Sequence, residues 1–271
     1  MSYNLLKGKR GIITGALDEN SIAWQTAVRA VEEGAEIVLT NAPVAMRMGK
    51  IQELADQLNT IVIPADATSL EDIENLYKKA QEHFGGENID FILHSIGMSP
   101  NVRKGREYGD LNYDYYQKSI DISALSFHKM MQVAEKMDIL NEWGSVVGLS
   151  YIAAQRAYPD YSDMSQAKAV LESIARSFGQ RLGENKKVRV NTISQSPTPT
   201  TAGQGISGFN VFLDYADMLS PLGNATAGEC ADYIITLFSD LTKKVTMQNL
   251  FHDGGFSTSG ISHALVERLS K

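Results

Sequence analysis

Seven short apolar runs, separated by longer stretches with helical periodicity, most constrain what this chain can fold into. They are RGIIT (10–14), EIVLT (36–40), TIVIPAD (60–66), IDFILHS (89–95), GSVVGLS (144–150), VRVNTIS (188–194) and VTMQNLFHD (245–253). Apolar runs of this kind, alternating with helical segments, are typical of a parallel sheet that helices cover on both faces. The sequence therefore predicts an α/β fold with a doubly wound, seven-stranded, Rossmann-type parallel sheet.

The remaining bulk features limit the classes of protein to which the chain can belong. Residues 1–271 contain no repeat or Pro/Ser-rich linker, so we expect one domain. A net charge of −7 argues against a nucleic-acid partner, because phosphate binding needs clustered cations. Cys230 is the single cysteine, and MSYNLLKGKRGIITG lacks the apolar core of a signal peptide or membrane span. We expect a cytoplasmic protein that binds neither nucleic acid nor membrane, and we predict no metal site.

The segment TGALDENSIA (14–23) follows the first predicted strand, where open α/β sheets bind ligands. A dinucleotide pyrophosphate there would use free N–H groups at the start of the next helix. The usual G-x-G-x-x-G is absent, but Gly15 permits a tight turn and Ser21 can cap the helix and contact phosphate. An ordinary strand–turn–helix connection with a serine cap fits this segment equally well.

The ends of the second and third predicted strands also bear on whether the chain binds a dinucleotide. The second strand ends in Thr40, Asn41 and Ala42, with neither an acid for ribose hydroxyls nor an adjacent cation for a 2′-phosphate. Arg47 is better interpreted as a solvated helix residue, so NADH is favoured over NADPH. Asp66 ends the third strand and could either bind the adenine amine or cap the following helix.

The fourth strand runs into HSIGMSP (94–100), whose small residues let a flat ring lie close to the backbone. Ser95 and Gly97 supply that space. His94 could be interpreted as a catalytic base, but a packed histidine at the end of the strand is the simpler interpretation.

The stretch YPDYSDMSQAKAV (158–170) places Tyr161 seven positions before Lys168. We predict a helix from Pro159 and Asp160 to about Gly179, which would put both side chains on one face, about 10 Å apart along the axis. A phenol is mostly protonated at neutral pH and can donate to a developing oxyanion, which a nearby ammonium also stabilises. The alternative is a half-buried aromatic residue beside a lysine that reaches the surface.

Together, these segments resemble the divergent short-chain dehydrogenase/reductases, and among them the enoyl-acyl-carrier-protein reductases. The matching features are TGALDENSIA, HSIG, LSY with Tyr151, Tyr161-x-x-Met164-x-x-x-Lys168, VRVNTIS and DGGFS (253–257), which cover nearly the whole chain in order. The Tyr-x-x-x-Lys of ordinary short-chain dehydrogenases is not present, because Ser165 stands four positions after Tyr161. This difference separates the chain from ketoreductases.

The resemblance implies a role for each matched residue. Tyr161 would donate to the thioester carbonyl oxygen, Lys168 would bind the nicotinamide ribose, and Tyr151 would support Tyr161 from the substrate side. The implied NADH site consists of Gly15, Ser21, Ile22, Asp66, Ala67, Ser95, Ile96, Gly97, Lys168 and Thr200. The implied substrate site consists of Met98, Tyr151, Tyr161, Met164 and Ile206. A homotetramer and an acyl-carrier-protein partner are also implied.

The segment after the sixth strand departs from the family pattern. It reads SQSPTPTTAG, with Ser196 before Pro197 and an additional Pro199. We expect a mobile substrate cover at about 195–215. Residues 202–218 contain no Lys or Arg, so an acidic carrier would have to find cations elsewhere. Arg103, Lys104 and Arg106 are the nearest basic cluster, although a solvated loop is the simpler interpretation.

Three functions remain open at this point. The first is NADH-dependent reduction of a trans-2-enoyl thioester in bacterial fatty-acid synthesis. The second is reduction of a carbonyl, such as that of a 3-oxoacyl thioester, which the spacing of Tyr161 and Lys168 disfavours. The third is a non-catalytic nucleotide-binding protein, which would have no use for this pair of side chains.

Overall fold

Seven parallel strands form one sheet in the computed structural model, which describes residues 2–47, 50–159, 161–201, 203 and 208–270. The strands are β1 (Arg10–Thr14), β2 (Glu36–Thr40), β3 (Ile61–Val62), β4 (Ile89–His94), β5 (Leu140–Ser150), β6 (Arg189–Gln195) and β7 (Asn249–His252). Their order is β3-β2-β1-β4-β5-β6-β7. The predicted doubly wound parallel sheet is therefore confirmed.

Helices connect the strands and cover both faces of the sheet. They are α1 (Ile22–Glu32), α2 (Ile51–Gln57), α3 (Leu70–His83), α4 (Pro100–Arg103), α5 (Tyr113–Ile120), α6 (Ser126–Lys136), α7 (Met164–Lys186), α8 (Phe209–Leu219), α9 (Ala227–Phe238) and α10 (His263–Leu269). A π-helical turn, Asp121–Leu125, joins α5 to α6. Within the described ranges, each helix is too short or too polar to span a bilayer.

Neighbouring residues of the central strands point into two separate cores. Ile12 and Ile92 pack with α3, α6 and α7, whereas Ile13 and Leu93 pack with α1, α2 and α9. All four side chains are essentially fully buried. Full burial of such a side chain contributes about 1.5–3 kcal/mol, so a polar residue at any of these positions would be strongly destabilising. Burial on both faces explains why polar and apolar residues do not alternate along these strands.

Two predicted strands are shorter than expected. Strand β3 covers only Ile61–Val62 of the predicted 60–66. Beyond it, the N–H groups of Ile63 and Ala65 still donate to the carbonyls of Leu39, in β2, and of Asn41, which directly follows β2. Strand β7 begins at Asn249 rather than at Val245.

The helix that carries Lys168 differs from the prediction at both ends. It begins at Met164, not at Pro159, and it continues past Gly179 to Lys186. Gly179 is needed for packing rather than as a helix end, because a Cβ at this position would lie 2.6 Å from Cγ of Met247. Asp160, part of the predicted helix start, lies outside the described residues.

The strand order reverses between β1 and β4, because β1 pairs with β2 on one side and with β4 on the other. Such a switch point leaves a crevice at the carboxyl ends of the strands. Thr14 and Ser95 lie there, and the Thr14 hydroxyl accepts a hydrogen bond from the Ser95 N–H at 3.1 Å. The fold therefore places the residues that follow β1 and β4 around one opening.

Candidate active site

A cavity of about 750 Å³ opens at this switch point. Every predicted cofactor or substrate residue that the structure describes contributes to its wall. Ile206 is the exception, since it lies outside the described residues. The volume is within the range of small-molecule and cofactor sites, about 300–1,000 Å³. The individual roles of these residues stay predictions, but their convergence on one cavity makes the roles testable as a set.

The turn after β1 directs the start of α1 toward this cavity. Gly15 has a φ of +85°, and a Cβ at this position would lie 2.0 Å from the Ser95 carbonyl oxygen, so only glycine fits. Ser21 caps α1: its hydroxyl accepts from the Trp24 N–H at 3.3 Å and donates to the Asp18 carbonyl at 2.7 Å. Ile22 opens the helix. The positive end of α1 can therefore hold an anionic group such as a pyrophosphate.

The wall beyond β2 consists of neutral residues. Thr40, Asn41, Ala42 and Val44 line the cavity, and the Asn41 amide donates to the Ala16 carbonyl at 2.9 Å. Among the described residues, the cations that line the cavity are Arg103, Lys118 and Lys168. Arg47 is exposed and is not one of them. This end of the cavity therefore suits a ribose with free hydroxyls better than one with a 2′-phosphate.

Asp66 lies in the wall after β3, but it does not cap α3. Its carboxylate accepts from the N–H and hydroxyl of Thr68, at 2.9 and 2.7 Å, and so closes the turn. Ser69 caps α3 instead, by accepting from the Asp72 N–H at 3.2 Å. The helix-cap alternative for Asp66 is therefore wrong. Ala67, the next residue, also lines the cavity.

The segment after β4 forms the floor of the cavity. Ser95, Ile96, Gly97 and Met98 all line it. At Gly97, a Cβ would lie 3.6 Å from Lys168 Nζ, so this position brings the backbone close to the ammonium group. The Ser123 hydroxyl fixes Met98 by accepting from its N–H at 2.9 Å and donating to its carbonyl at 3.1 Å.

His94 is excluded from the cavity. The ring is fully buried, and its Nε2 lies 2.8 Å from the Ser126 hydroxyl. Burial, together with the charge of Lys168, lowers the pKa of His94 to about 3. His94 is therefore a neutral packed residue, in agreement with the simpler interpretation.

Tyr161 lies in a turn just before α7, so the predicted helical face shared with Lys168 is wrong for this residue. Its N–H donates to the Pro159 carbonyl at 2.8 Å, and Ser162, which follows, has a φ of +48°. The turn nevertheless brings Tyr161 to the same cavity as Lys168. Met164, the first residue of α7, is buried beside the Tyr161 ring and also lines the cavity.

Two tyrosines form a contact pair at the rim of the cavity. The rings of Tyr151 and Tyr161 have their centroids 5.1 Å apart, with an interplanar angle of 54°. Burial raises the pKa of the Tyr161 hydroxyl, and burial together with the neighbouring Tyr158 and Tyr161 raises the pKa of Tyr151. Both phenols are therefore protonated donors at neutral pH.

Lys168 is buried in the first turns of α7, with its ammonium group held in place by the sheet. Its Nζ donates to the Leu149 carbonyl at 2.7 Å. Burial lowers the pKa of Lys168 to about 8, while the charge of Glu172 acts in the opposite direction. Glu172 is itself buried and accepts from the Ser150 hydroxyl at 2.6 Å. The end of β5 therefore carries Tyr151 and anchors Lys168.

The segment after β6 contacts the turn after β1. Thr200 lines the cavity, and its hydroxyl accepts from the Gly203 N–H at 3.0 Å. The Thr201 hydroxyl donates to the Asp18 carboxylate at 2.5 Å. This described part of the predicted cover therefore reaches across the opening, whereas residues 204–207 lie outside the described ranges.

Sequence reasoning missed two groups of residues at the site. The Tyr158 ring lies 5.4 Å from that of Tyr151, tilted by 59°, and the Phe212 ring lies 6.0 Å from Tyr158, so an aromatic wall continues from the tyrosine pair. In the sequence, this wall is indicated by Tyr158, the aromatic residue directly before Pro159. Glu172 was also missed, although its position four residues after Lys168 places it one helical turn away.

Comparison with known proteins agrees with the geometry. The family model described as enoyl-(acyl carrier protein) reductase matches residues 15–257. The NADH enoyl-acyl-carrier-protein reductase FabI of Rickettsia bellii is 36% identical over 96% of this chain and 98% of the relative, and reductase 1 of Rhizobium meliloti is 34% identical over 95% and 93%. The FabI–NADH complex of Alistipes finegoldii is 66% identical, with a TM-score of 0.96 over 97% of this chain and 93% of that one. The chain belongs to the enoyl-acyl-carrier-protein reductase family.

Proposed function

We propose that this protein reduces the carbon–carbon double bond of trans-2-enoyl-acyl-carrier-protein thioesters with NADH, as a step of bacterial fatty-acid synthesis. The observation that carries the proposal is the convergence of Tyr151, Tyr161 and Lys168 on the cavity whose other wall is the turn after β1. The relatives, which are named NADH enoyl-acyl-carrier-protein reductases, support the same reaction.

The residues present fit NADH. The first turn of α1 offers N–H groups to the pyrophosphate, and Gly97, which has no side chain, leaves room for a flat ring against the backbone beside Lys168. The neutral wall at Thr40, Asn41 and Ala42 favours NADH over NADPH. When bound, NADH would supply a hydride to the β-carbon of the thioester, and a proton from solvent at the α-carbon would complete the saturated product.

Tyr161 stabilises the negative charge that hydride addition places on the thioester carbonyl oxygen. Because burial raises its pKa, the phenol keeps its proton and donates a hydrogen bond instead of adding a second negative charge. Lys168 orients the nicotinamide ribose and adds positive charge beneath the site. Tyr151 packs against the Tyr161 ring and limits its rotation.

The test is cofactor oxidation with two substrates, a trans-2-enoyl thioester and the 3-oxoacyl thioester of the same chain length. We expect NADH oxidation with the enoyl thioester, and a loss of about 100-fold or more in kcat for Tyr161→Phe with NADH affinity retained. Reduction of the 3-oxoacyl thioester alone would instead support carbonyl reduction. Equal kcat of Tyr161→Phe and wild type would contradict the assigned mechanism.

A carrier protein with an acidic surface needs a basic contact, and Arg103 is the best placed. Within the basic cluster, Arg106 pairs with Asp110 at 3.3 Å, and Lys104 donates to the Tyr115 hydroxyl at 2.8 Å. Arg103 lies in the cavity wall. We therefore expect reversal of the charge of Arg103 to raise KM for a carrier-linked enoyl thioester but not for a coenzyme A thioester; equal changes for both would exclude this contact.

The oligomeric state and location are part of the same proposal. A homotetramer would cover the exposed apolar side chains of β7 and α10, which are Phe251, Val266 and Leu269. Light scattering of the purified protein tests it, and a monomer would contradict it. The cytoplasmic location stays a prediction that fractionation of the cells can test.

A further inference from the structure

Asp163 is a fully buried carboxylate two residues after Tyr161, and the mechanism above gives it no role. Three neutral donors lie within hydrogen-bond distance of it: the Ser99 hydroxyl at 2.5 Å, the Asn101 amide at 2.8 Å, and the Ser119 hydroxyl at 2.8 Å, which is equally close to the Tyr115 carbonyl. Burial of a carboxylate is unfavourable unless hydrogen bonds compensate it, so this arrangement requires all three donors.

The three donors belong to elements that enclose Tyr161. Ser99 and Asn101 lie at the start of α4, just after the cavity floor at Met98, and Ser119 lies near the end of α5. The Tyr161 ring packs in one apolar cluster with residues from these elements and from α7, namely Val102, Ile120, Met164 and Ala167. The Asp163 carboxylate therefore connects the backbone next to Tyr161 to α4 and α5, the helices against which the Tyr161 ring packs.

Asp163 occupies the residue before α7, where an aspartate ordinarily caps the helix. Its side chain makes no capping hydrogen bond to α7 and instead points to α4 and α5. Ser162, between Tyr161 and Asp163, has a φ of +48°, a conformation that residues other than glycine rarely adopt. Such a turn persists only when the surrounding structure stabilises it. Among the described residues, Asp163 provides the side-chain hydrogen bonds that connect this turn to α4 and α5.

We propose that Asp163 is a positioning residue: its hydrogen bonds to Ser99, Asn101 and Ser119 hold the Tyr161 hydroxyl at the place where the substrate oxyanion develops. This inference rests on the proposed function, because it assigns to Asp163 an effect that passes through the Tyr161 hydroxyl. A displacement of a catalytic donor by about 1 Å lowers the rate by about 100-fold, which sets the scale of the effect.

The test is a double-mutant cycle between Asp163→Val and Tyr161→Phe. With Tyr161 present, we expect Asp163→Val to lower kcat about 10- to 100-fold and to change the Kd for NADH less than about threefold, since the Lys168–Leu149 contact does not involve Asp163. In the Tyr161→Phe background, the same change should alter kcat less than about twofold. Equal factors in the two backgrounds would overturn the proposal and leave Asp163 a purely structural residue.

Two milder variants keep the test decisive if Asp163→Val does not fold. Asp163→Asn retains one carbonyl acceptor for Asn101 and Ser119, so we expect kcat within about fivefold of wild type. Ser119→Ala removes one donor, and we expect a kcat about three- to tenfold lower, again only when the Tyr161 hydroxyl is present. An unchanged kcat in Ser119→Ala overturns the proposal.

The matched control is Ser145→Ala, which also removes a fully buried hydroxyl. Ser145 lies in the middle of β5, away from the cavity, and donates to the Leu237 carbonyl at 2.7 Å. We expect it to lower the melting temperature as Ser119→Ala does, with kcat unchanged. Failure of the wild type to reduce an enoyl thioester contradicts the proposed function, whereas an active wild type with additive Asp163 and Tyr161 effects contradicts this inference alone.

Discussion

The protonation of Lys168 provides a prediction with a calculable size. Burial lowers its pKa to about 8, so the ammonium that we assign to the nicotinamide ribose is lost within an accessible pH range. The Leu149 carbonyl accepts from Nζ at 2.7 Å and keeps the side chain in place. We therefore expect NADH affinity to fall as the pH rises above 8, before most exposed lysines deprotonate.

If only the protonated lysine holds the ribose, the apparent Kd equals the Kd of the fully protonated protein multiplied by a pH-dependent factor. That factor is the sum of one and ten raised to the power (pH − pKa). This factor is close to 1 at pH 7 and roughly 30 at pH 9.5 for a pKa of about 8. The assay is titration with NADH, followed by nicotinamide fluorescence, in the absence of substrate. The control is Lys168→Arg, because a guanidinium remains charged throughout this range and should give a Kd that does not depend on pH.

A wild-type Kd that changes less than about twofold between pH 7 and pH 9.5 would refute this assignment, because the predicted factor is about 30. An equal rise in Lys168→Arg would place the titrating group elsewhere. Either result would remove Lys168 from the ribose contact while leaving the role of Tyr161 to be tested separately.

Four further predictions concern residues of the fold and the site. Lys168→Met should stabilise the protein at pH 7, because a pKa that is lower in the folded than in the unfolded state makes the charged lysine unfavourable to folding below about pH 8. The gain in unfolding free energy, measured by chemical denaturation, should be on the order of 1–3 kcal/mol and should disappear as the pH approaches about 10.4. Gly15→Ala should abolish NADH binding, because its Cβ would meet the Ser95 carbonyl; retained affinity would contradict this packing. Tyr158→Phe should lower kcat/KM about three- to tenfold with NADH affinity unchanged, whereas a loss of NADH affinity would place Tyr158 on the cofactor side. Arg189→Met should cost about 2–4 kcal/mol of unfolding free energy with kcat unchanged, since its guanidinium donates to three carbonyls in the core; near-wild-type stability would contradict this role.

The sheet could be predicted because its strands are buried on both faces. Strands β1 and β2 have the predicted bounds, 10–14 and 36–40, because each is a continuous apolar run with helices before or after it. Strand β3 is shorter than the predicted 60–66, because its regular pairing with β2 stops at Val62 although the apolar pattern continues. Local pattern therefore located the strands, but not the points where pairing stops.

The site could be predicted as a set of residues, but not as a geometry. Tyr161 reaches the cavity from a turn with Ser162 at a φ of +48°, and a serine gives little sign of that conformation in a sequence. The residues around Asp163 could not be found by spacing, because Ser99 and Ser119 lie 64 and 44 positions away from it in the chain. Such contacts depend on how α4 and α5 pack, which only the three-dimensional structure provides.

The most direct measurement of the central claim follows the hydride itself. The wild-type protein is incubated with NADH that carries deuterium at both C4 positions and with a trans-2-enoyl thioester, and the product is analysed by mass spectrometry. We predict a saturated acyl thioester with one deuterium at the β-carbon, formed at a rate that falls about 100-fold or more in Tyr161→Phe. A product without deuterium at the β-carbon, or an unreduced enoyl thioester, would contradict the account.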